Sequence, residues 1–133
     1  MWLGEIDESI NTSFKECIHS STHNFGIVNE ICDTVSVMYA GTIIETASKA
    51  EIFENTLNPY GKALIESIPR KGMRGSKLLT IPGIPPELFD LVDGCPFQPR
   101  CSFRTGICQQ QMAELTQRES KDGTLHCVAC HNY

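Results

Sequence analysis

The stretch Thr34-Val35-Ser36-Val37-Met38-Tyr39-Ala40-Gly41-Thr42-Ile43-Ile44-Glu45-Thr46 decides how the rest of the chain is read. Two runs rich in β-branched and aromatic residues flank a short glycine-containing link, the pattern of a β-hairpin. Just upstream, Ile27, Val28, Ile31 and Cys32 fall at helical spacing. That predicts an amphipathic helix from Phe25 to Cys32, with Cys32 as a packing residue. Downstream, Ser48-Lys49-Ala50-Glu51 has the form of a capping box, the Ser48 hydroxyl taking the Glu51 amide while Glu51 reaches back. A short helix through Ile52 and Phe53 follows. Asn58 then caps a further helix with Pro59 at its first position, Ala63, Leu64 and Ile68 lining its inner face and Pro69 ending it. Tyr39 and Tyr60 read as packing residues, and Glu45, Glu51 and Glu54 as a solvated face.

Further from the hairpin the signals are weaker. Ile6, Ile10 and Phe14 could edge a short helix, and residues 15–21 read as loop or weak strand. After Pro69 the chain becomes rich in proline and glycine. The basic run Pro69-Arg70-Lys71-Gly72-Met73-Arg74-Gly75-Ser76-Lys77 reads as a solvated linker. Ile81-Pro82-Gly83-Ile84-Pro85-Pro86 resists both helix and central strand. It reads as an extended segment that wraps the protein, with Leu78, Leu79, Ile81, Ile84, Leu88 and Phe89 seeking a surface to cover.

The last third carries the chemistry. Five of the seven cysteines lie there: Cys95, Cys101, Cys108, Cys127 and Cys130. Cys108 is expected on a short helix from Gly106 to Leu115. Thiolates grouped in this way hold a metal, an iron–sulfur cluster or disulfides. The composition, 41% apolar and 20% charged in 133 residues, is that of one globular domain. A net charge of −5 without a basic stripe argues against nucleic acid as a partner. The sequence shows no leader peptide and no run of about 20 apolar residues. The expected compartment is therefore the cytosol, where grouped cysteines more often bind metal than form disulfides. Zinc is one candidate, since His126 and His131 flank Cys127-x-x-Cys130, and Cys95 and Cys101 could complete a tetrahedral site.

Several blocks together resemble a known family. Thr22-His23-Asn24-Phe25-Gly26-Ile27-Val28, Val37-Met38-Tyr39-Ala40-Gly41, Asn58-Pro59-Tyr60-Gly61-Lys62-Ala63-Leu64 and Ser67-Ile68-Pro69-Arg70 are similar to the end of an ATP-binding subunit of the oligopeptide/dipeptide ABC importers. Ile81-Pro82-Gly83-Ile84-Pro85-Pro86 and Gly94-Cys95-Pro96-Phe97-Gln98-Pro99-Arg100-Cys101 continue the likeness, which covers residues 22–133 in unbroken order. The resemblance implies a cytoplasmic subunit, peripheral to the membrane, that drives uptake of peptides or sometimes nickel. It implies pairing with a second ATP-binding subunit beneath two membrane permeases. His23 then corresponds to the switch-loop histidine, whose side chain reaches the γ-phosphate of ATP. In the family the C-terminal extension can carry a 4Fe–4S cluster, and the positions carried over are Cys95, Cys101, Cys108 and Cys130. Cys127, standing where a basic residue is more usual, is a spare thiol or a substitute ligand.

The resemblance has gaps. The sequence contains no Gly-x-x-x-x-Gly-Lys-Ser/Thr phosphate loop, no Leu-Ser-Gly-Gly-Gln signature and no apolar strand ending in Asp-Glu. Asn24 replaces the usual aspartate. The chain alone is therefore not expected to hydrolyse ATP, whose Mg complex belongs to the intact subunit, and it reads as truncated. The expected fold is an α/β fragment: residues 1–21 a divergent leader, 22–68 the end of the ABC nucleotide-binding domain with short helices and a β-hairpin, and 69–133 an irregular cysteine-rich extension. The alternative is a stand-alone metal- or iron–sulfur-binding interaction module.

Overall fold

A computed structural model describes residues 2–7, 17–68, 80–86 and 93–133. Its centre is the expected hairpin, strands β3 (Thr34–Tyr39) and β4 (Thr42–Ser48). At the link, Ala40 and Gly41 have φ of 46° and 79°. Two successive positive φ values match the twist of the strands, the reason glycine is favoured there. Val35, Val37 and Tyr39 point inward in strict alternation. In β4 the register slips opposite Val37/Met38, so Ile44 is the extra residue of a bulge. Ile44 and Glu45, adjacent in sequence, are consequently both buried.

Helix α1 (Phe25–Ile31) forms where its periodicity placed it, and Asn24 caps it by accepting from the amides of Gly26 and Ile27. Cys32 is 2% exposed in the core, as a packing residue should be. Helix α2 (Lys49–Asn55) starts at Ser48, whose hydroxyl accepts from the Glu51 amide at 3.2 Å. Helix α3 (Pro59–Ser67) opens on the Asn58 side chain, which accepts from Tyr60 N at 2.9 Å. Its buried residues are Gly61 and Ile65, with Leu64 and Ile68 packed against the core from its edge. The expected inner face is thus rotated: Ile65 replaces Ala63 at its middle, because the helix leans its Gly61 side on the Thr56 and Glu45 side chains.

The first residues depart from expectation. Trp2–Asp7 is a strand, β1, and not the edge of a helix; Ile10 and Phe14 lie outside the described residues. Cys17–Thr22 forms strand β2, antiparallel to β1, and β1 in turn pairs with β3. Backbone pairing with the hairpin's free edge overrides a weak helical spacing.

The C-terminal half also departs from the irregular structure expected. Strands β5 (Thr116–Arg118) and β6 (His126–Val128) form a hairpin, and β6 adds to the free edge of β4. One antiparallel sheet of order β2-β1-β3-β4-β6-β5 results. The helix carrying Cys108 is a single turn, α4 (Ile107–Gln110), shorter than the Gly106–Leu115 expected. Within Ile81–Pro86, Ile81 packs on the core but Ile84 is 90% exposed and covers nothing. What fixes this segment is polar: the Arg100 guanidinium donates to the carbonyls of Pro82 and Ile81 at 2.8 and 3.1 Å, and to the Tyr39 hydroxyl at 3.3 Å. The basic run 69–77 and Leu78, Leu79, Leu88 and Phe89 lie outside the described residues, as does the boundary at Pro69.

Candidate functional site

His23 stands at the junction between the end of β2 and the start of α1, and its side chain is exposed. The junction is held locally. Thr22 Oγ1 accepts from Asn24 N at 3.0 Å, and Asn24 Oδ1 accepts from Gly26 N at 2.9 Å. An open depression lined by Thr22, His23, Asn24, Phe25, Ser67 and Ile68 adjoins it. Asn24 thus performs the capping that an aspartate in its place would perform.

The cysteines are organised from the core outward. Phe97, 6% exposed, packs its ring 5.3 Å from Tyr39 and 5.2 Å from Tyr60, so the loop between Cys95 and Cys101 is anchored on the hairpin and α3. A 3-10 turn, Gln98–Arg100, closes that loop. Cys95 N donates to Cys108 O at 2.8 Å, and Asn132 Nδ2 donates to Phe103 O at 2.9 Å, drawing in the segment that carries Cys130. His131 Nε2 is committed to the Gln111 carbonyl at 3.0 Å.

These links bring Cys95, Cys101, Cys108 and Cys130 into one region. After burial, neighbouring cysteines also disfavour ionisation: Cys108 and Cys130 at Cys95, Cys108 at Cys101, and Cys101 and Cys108 at Cys130. Burial pushes the thiols of Cys95, Cys101 and Cys130 above the ordinary range, and backbone amides pull the other way. The amides that oppose burial come in each case from two residues downstream: Phe97 for Cys95, Phe103 for Cys101 and Asn132 for Cys130. The Gln98 amide donates to the Cys95 carbonyl at 2.9 Å, closing the turn that carries this thiol. Cys108 is served differently, by Thr105 Oγ1 at 3.3 Å from its sulfur. All four are free thiols.

Among the described residues, no group of three His, Cys, Asp or Glu side chains could hold one metal ion. Zinc at about 2.3 Å from each sulfur needs a tightly closed set. His126, which flanks Cys127-x-x-Cys130 in the sequence, is committed elsewhere. Its Nε2 lies 2.8 Å from Glu45 Oε1 and its Nδ1 3.2 Å from Glu51 Oε2, so neither ring nitrogen is left for a metal. Cys127 alternates with the buried His126 and Val128 along β6 and faces the opposite side of that strand.

The knot around His126 is what sequence reading missed. Glu45 and Glu51, expected on a solvated face, are 0% and 3% exposed, while Glu54 is exposed as expected. Glu45 also accepts from Thr56 Oγ1 at 2.6 Å, Leu57 N at 2.6 Å and Asn58 N at 3.1 Å. Glu51 also accepts from Lys121 N at 3.1 Å and Asn55 Nδ2 at 3.3 Å. It therefore does not reach back to complete the capping box. One histidine on β6 clasps β4 and α2, and Glu45 carries the link on to the start of α3. Among the described residues the knot is enclosed, so its role is to join the two halves of the chain.

Comparison with known proteins matches this arrangement to a family. The family "Oligopeptide/dipeptide transporter, C-terminal region" matches residues 44–108, from β4 through the cysteine loop to α4. The oligopeptide transport ATP-binding protein of Salmonella typhimurium is 42% identical over 106 residues, covering 80% of this chain and 30% of that protein. Its counterpart in Haemophilus influenzae is 44% identical over 107 residues, 80% of this chain and 32% of the relative. A peptide import ATP-binding protein of Brucella ovis is 43% identical over 113 residues, 80% of this chain and 33% of the relative. The chain belongs with the ATP-binding subunits of oligopeptide/dipeptide ABC importers and corresponds to their C-terminal part. It spans about a third of the length of these curated relatives.

Proposed function

We propose that this chain provides the C-terminal portion of a peptide importer's ATP-binding subunit, with His23 as the group that meets the γ-phosphate. The observation that carries the reading is the placement of an exposed histidine at the end of β2, fixed by the Thr22 and Asn24 bonds rather than by packing. An imidazole so placed can donate to a phosphate oxygen as charge builds on it. A phosphate cradle and a metal-binding carboxylate, motifs this sequence does not contain, would have to come from outside it. On this reading the subunit works in the cytoplasm, with a second ATP-binding subunit and two membrane permeases. No helix among the described residues is long and apolar enough to cross a membrane. The relatives' names support peptides as the solute; nickel, the other expectation, has no counterpart among the relatives named above. No observation favours the stand-alone module over this reading.

The same reading assigns Cys95, Cys101, Cys108 and Cys130 to a 4Fe–4S cluster. The support is the drawing together of the segments that carry them, Cys95 N to Cys108 O at 2.8 Å and Asn132 Nδ2 to Phe103 O at 2.9 Å. When bound, the cluster would cross-link the first cysteine loop, α4 and the chain's last residues.

A chimera tests the histidine. The Salmonella relative, with its matching segment replaced by residues 22–133, should support oligopeptide uptake in a strain lacking its own subunit. His23→Ala in that chimera should lower ATP hydrolysis by about a hundredfold. The 133-residue chain by itself should release no phosphate. A His23→Ala chimera as active as its parent would refute the assignment.

A further inference from the structure

We infer that Thr22 is a positioning residue for His23: its hydroxyl closes a ring around the histidine's backbone and so sets the direction in which the imidazole leaves the chain. The inference rests on the histidine reading above and adds the residue that aims the group. Thr22 Oγ1 accepts from Asn24 N at 3.0 Å. The ring closed by this bond includes the N, Cα and carbonyl carbon of His23, so φ and ψ of His23 are both constrained while its side chain projects outward. A side-chain oxygen here stands in for the carbonyl of a backbone turn. On one side the ring is joined to β2, which ends at Thr22. On the other, Asn24 Oδ1 accepts from Gly26 N and Ile27 N, and Asn24 O accepts from Val28 N at 3.2 Å, which ties the ring to α1. His23 thus lies between a strand and a helix, and the Thr22 bond holds them together across it.

For an exposed side chain such as His23, backbone direction rather than packing decides where the ring nitrogens reach. A hydrogen bond to a reacting phosphate oxygen needs heavy atoms about 3 Å apart. A misplacement of about 1 Å at such a group costs up to about a hundredfold in rate. Removing the Thr22 acceptor frees ψ of His23 while leaving the imidazole in place, so turnover falls and ATP binding, which rests on groups elsewhere, does not. The bond itself is exposed, so water can serve Asn24 N when the hydroxyl is gone. Valine keeps the β-branched shape that suits the end of a strand.

The test uses the Salmonella chimera described above, in which residues 22–133 carry the whole ring, with ATP hydrolysis measured at varied ATP. Thr22→Val should lower kcat about tenfold with KM for ATP unchanged. Thr22→Ser, which keeps the acceptor, should match the parent. In a His23→Ala background Thr22→Val should cause no further loss, because the hydroxyl acts through the imidazole. If the valine variant does not fold, Thr22→Ala, which also lacks the acceptor, is read in its place; if neither folds, the hydroxyl is structural and the inference falls. A Thr22→Val chimera as active as its parent, or one whose loss is the same with and without His23, overturns the inference and leaves the histidine reading intact. A His23→Ala chimera as active as its parent overturns that reading, and this inference with it.

Discussion

His126→Ala lowers the stability of the fold by about 3–5 kcal/mol in chemical denaturation, the range for leaving a buried carboxylate without its partner. The imidazole is fully buried between Glu45 and Glu51, with each ring nitrogen on a carboxylate oxygen. Alanine removes the ring from both carboxyl groups at once and leaves them facing a cavity. The loss is not shared equally. Glu45 keeps three other donors, Thr56 Oγ1, Leu57 N and Asn58 N, all at the entry to α3. Glu51 keeps Lys121 N and Asn55 Nδ2 at longer distances. Removing the more poorly served carboxylate as well, in the His126→Ala/Glu51→Ala double variant, should therefore recover part of the loss, a coupling that a double-mutant cycle reads directly. A His126→Ala loss below about 1 kcal/mol would place the histidine outside any ion cluster, since that is the range for exposed pairs.

The second large effect is expected at Gly94. A Cβ built there would stand 2.3 Å from the Cys108 carbonyl oxygen and within 2.8 Å of two backbone atoms of Gln109. These are main-chain atoms of α4 and cannot rotate away. Gly94→Ala must therefore push α4 from the first cysteine loop and break the 2.8 Å bond from Cys95 N to Cys108 O. Overpacking of this kind costs about 1–3 kcal/mol. The larger consequence is geometric, because Cys95 and Cys108 no longer share one region. Circular dichroism should show the sheet retained, since Gly94 lies outside every strand, while iron bound per chain falls to a small fraction of wild type. Normal iron loading in Gly94→Ala would show that the approach of α4 to Cys95 is not what assembles the site.

The two variants also mark where the sequence was legible. The β3–β4 hairpin, α1, Ser48 as a helix cap and Asn58-Pro59 at the start of α3 were readable because each is fixed within a few residues, by turn geometry, periodicity or capping. The His126 knot was not: its partners lie 81 and 75 residues away, and no local spacing joins them. Glu51 illustrates the competition. Its place in Ser-x-x-Glu predicted a side chain folded back on its own helix, but a buried histidine is the stronger partner. The six-stranded sheet was hidden for the same reason, since β1 and β6 join the hairpin's two edges from opposite ends of the chain. A charged residue in a β-rich strand, such as Glu45 between Ile44 and Thr46, was the one available hint. The cysteine spacing was visible, but the role of Phe97 as anchor of the first cysteine loop depends on the folded chain.

The most direct test of the account is metal analysis of the 133-residue chain purified under strictly anaerobic conditions. About four irons and four sulfides per chain are expected, the content of one 4Fe–4S cluster on four thiolates, with both lost in Cys101→Ser. Zinc in place of iron, or well-folded protein with no bound metal, would contradict it.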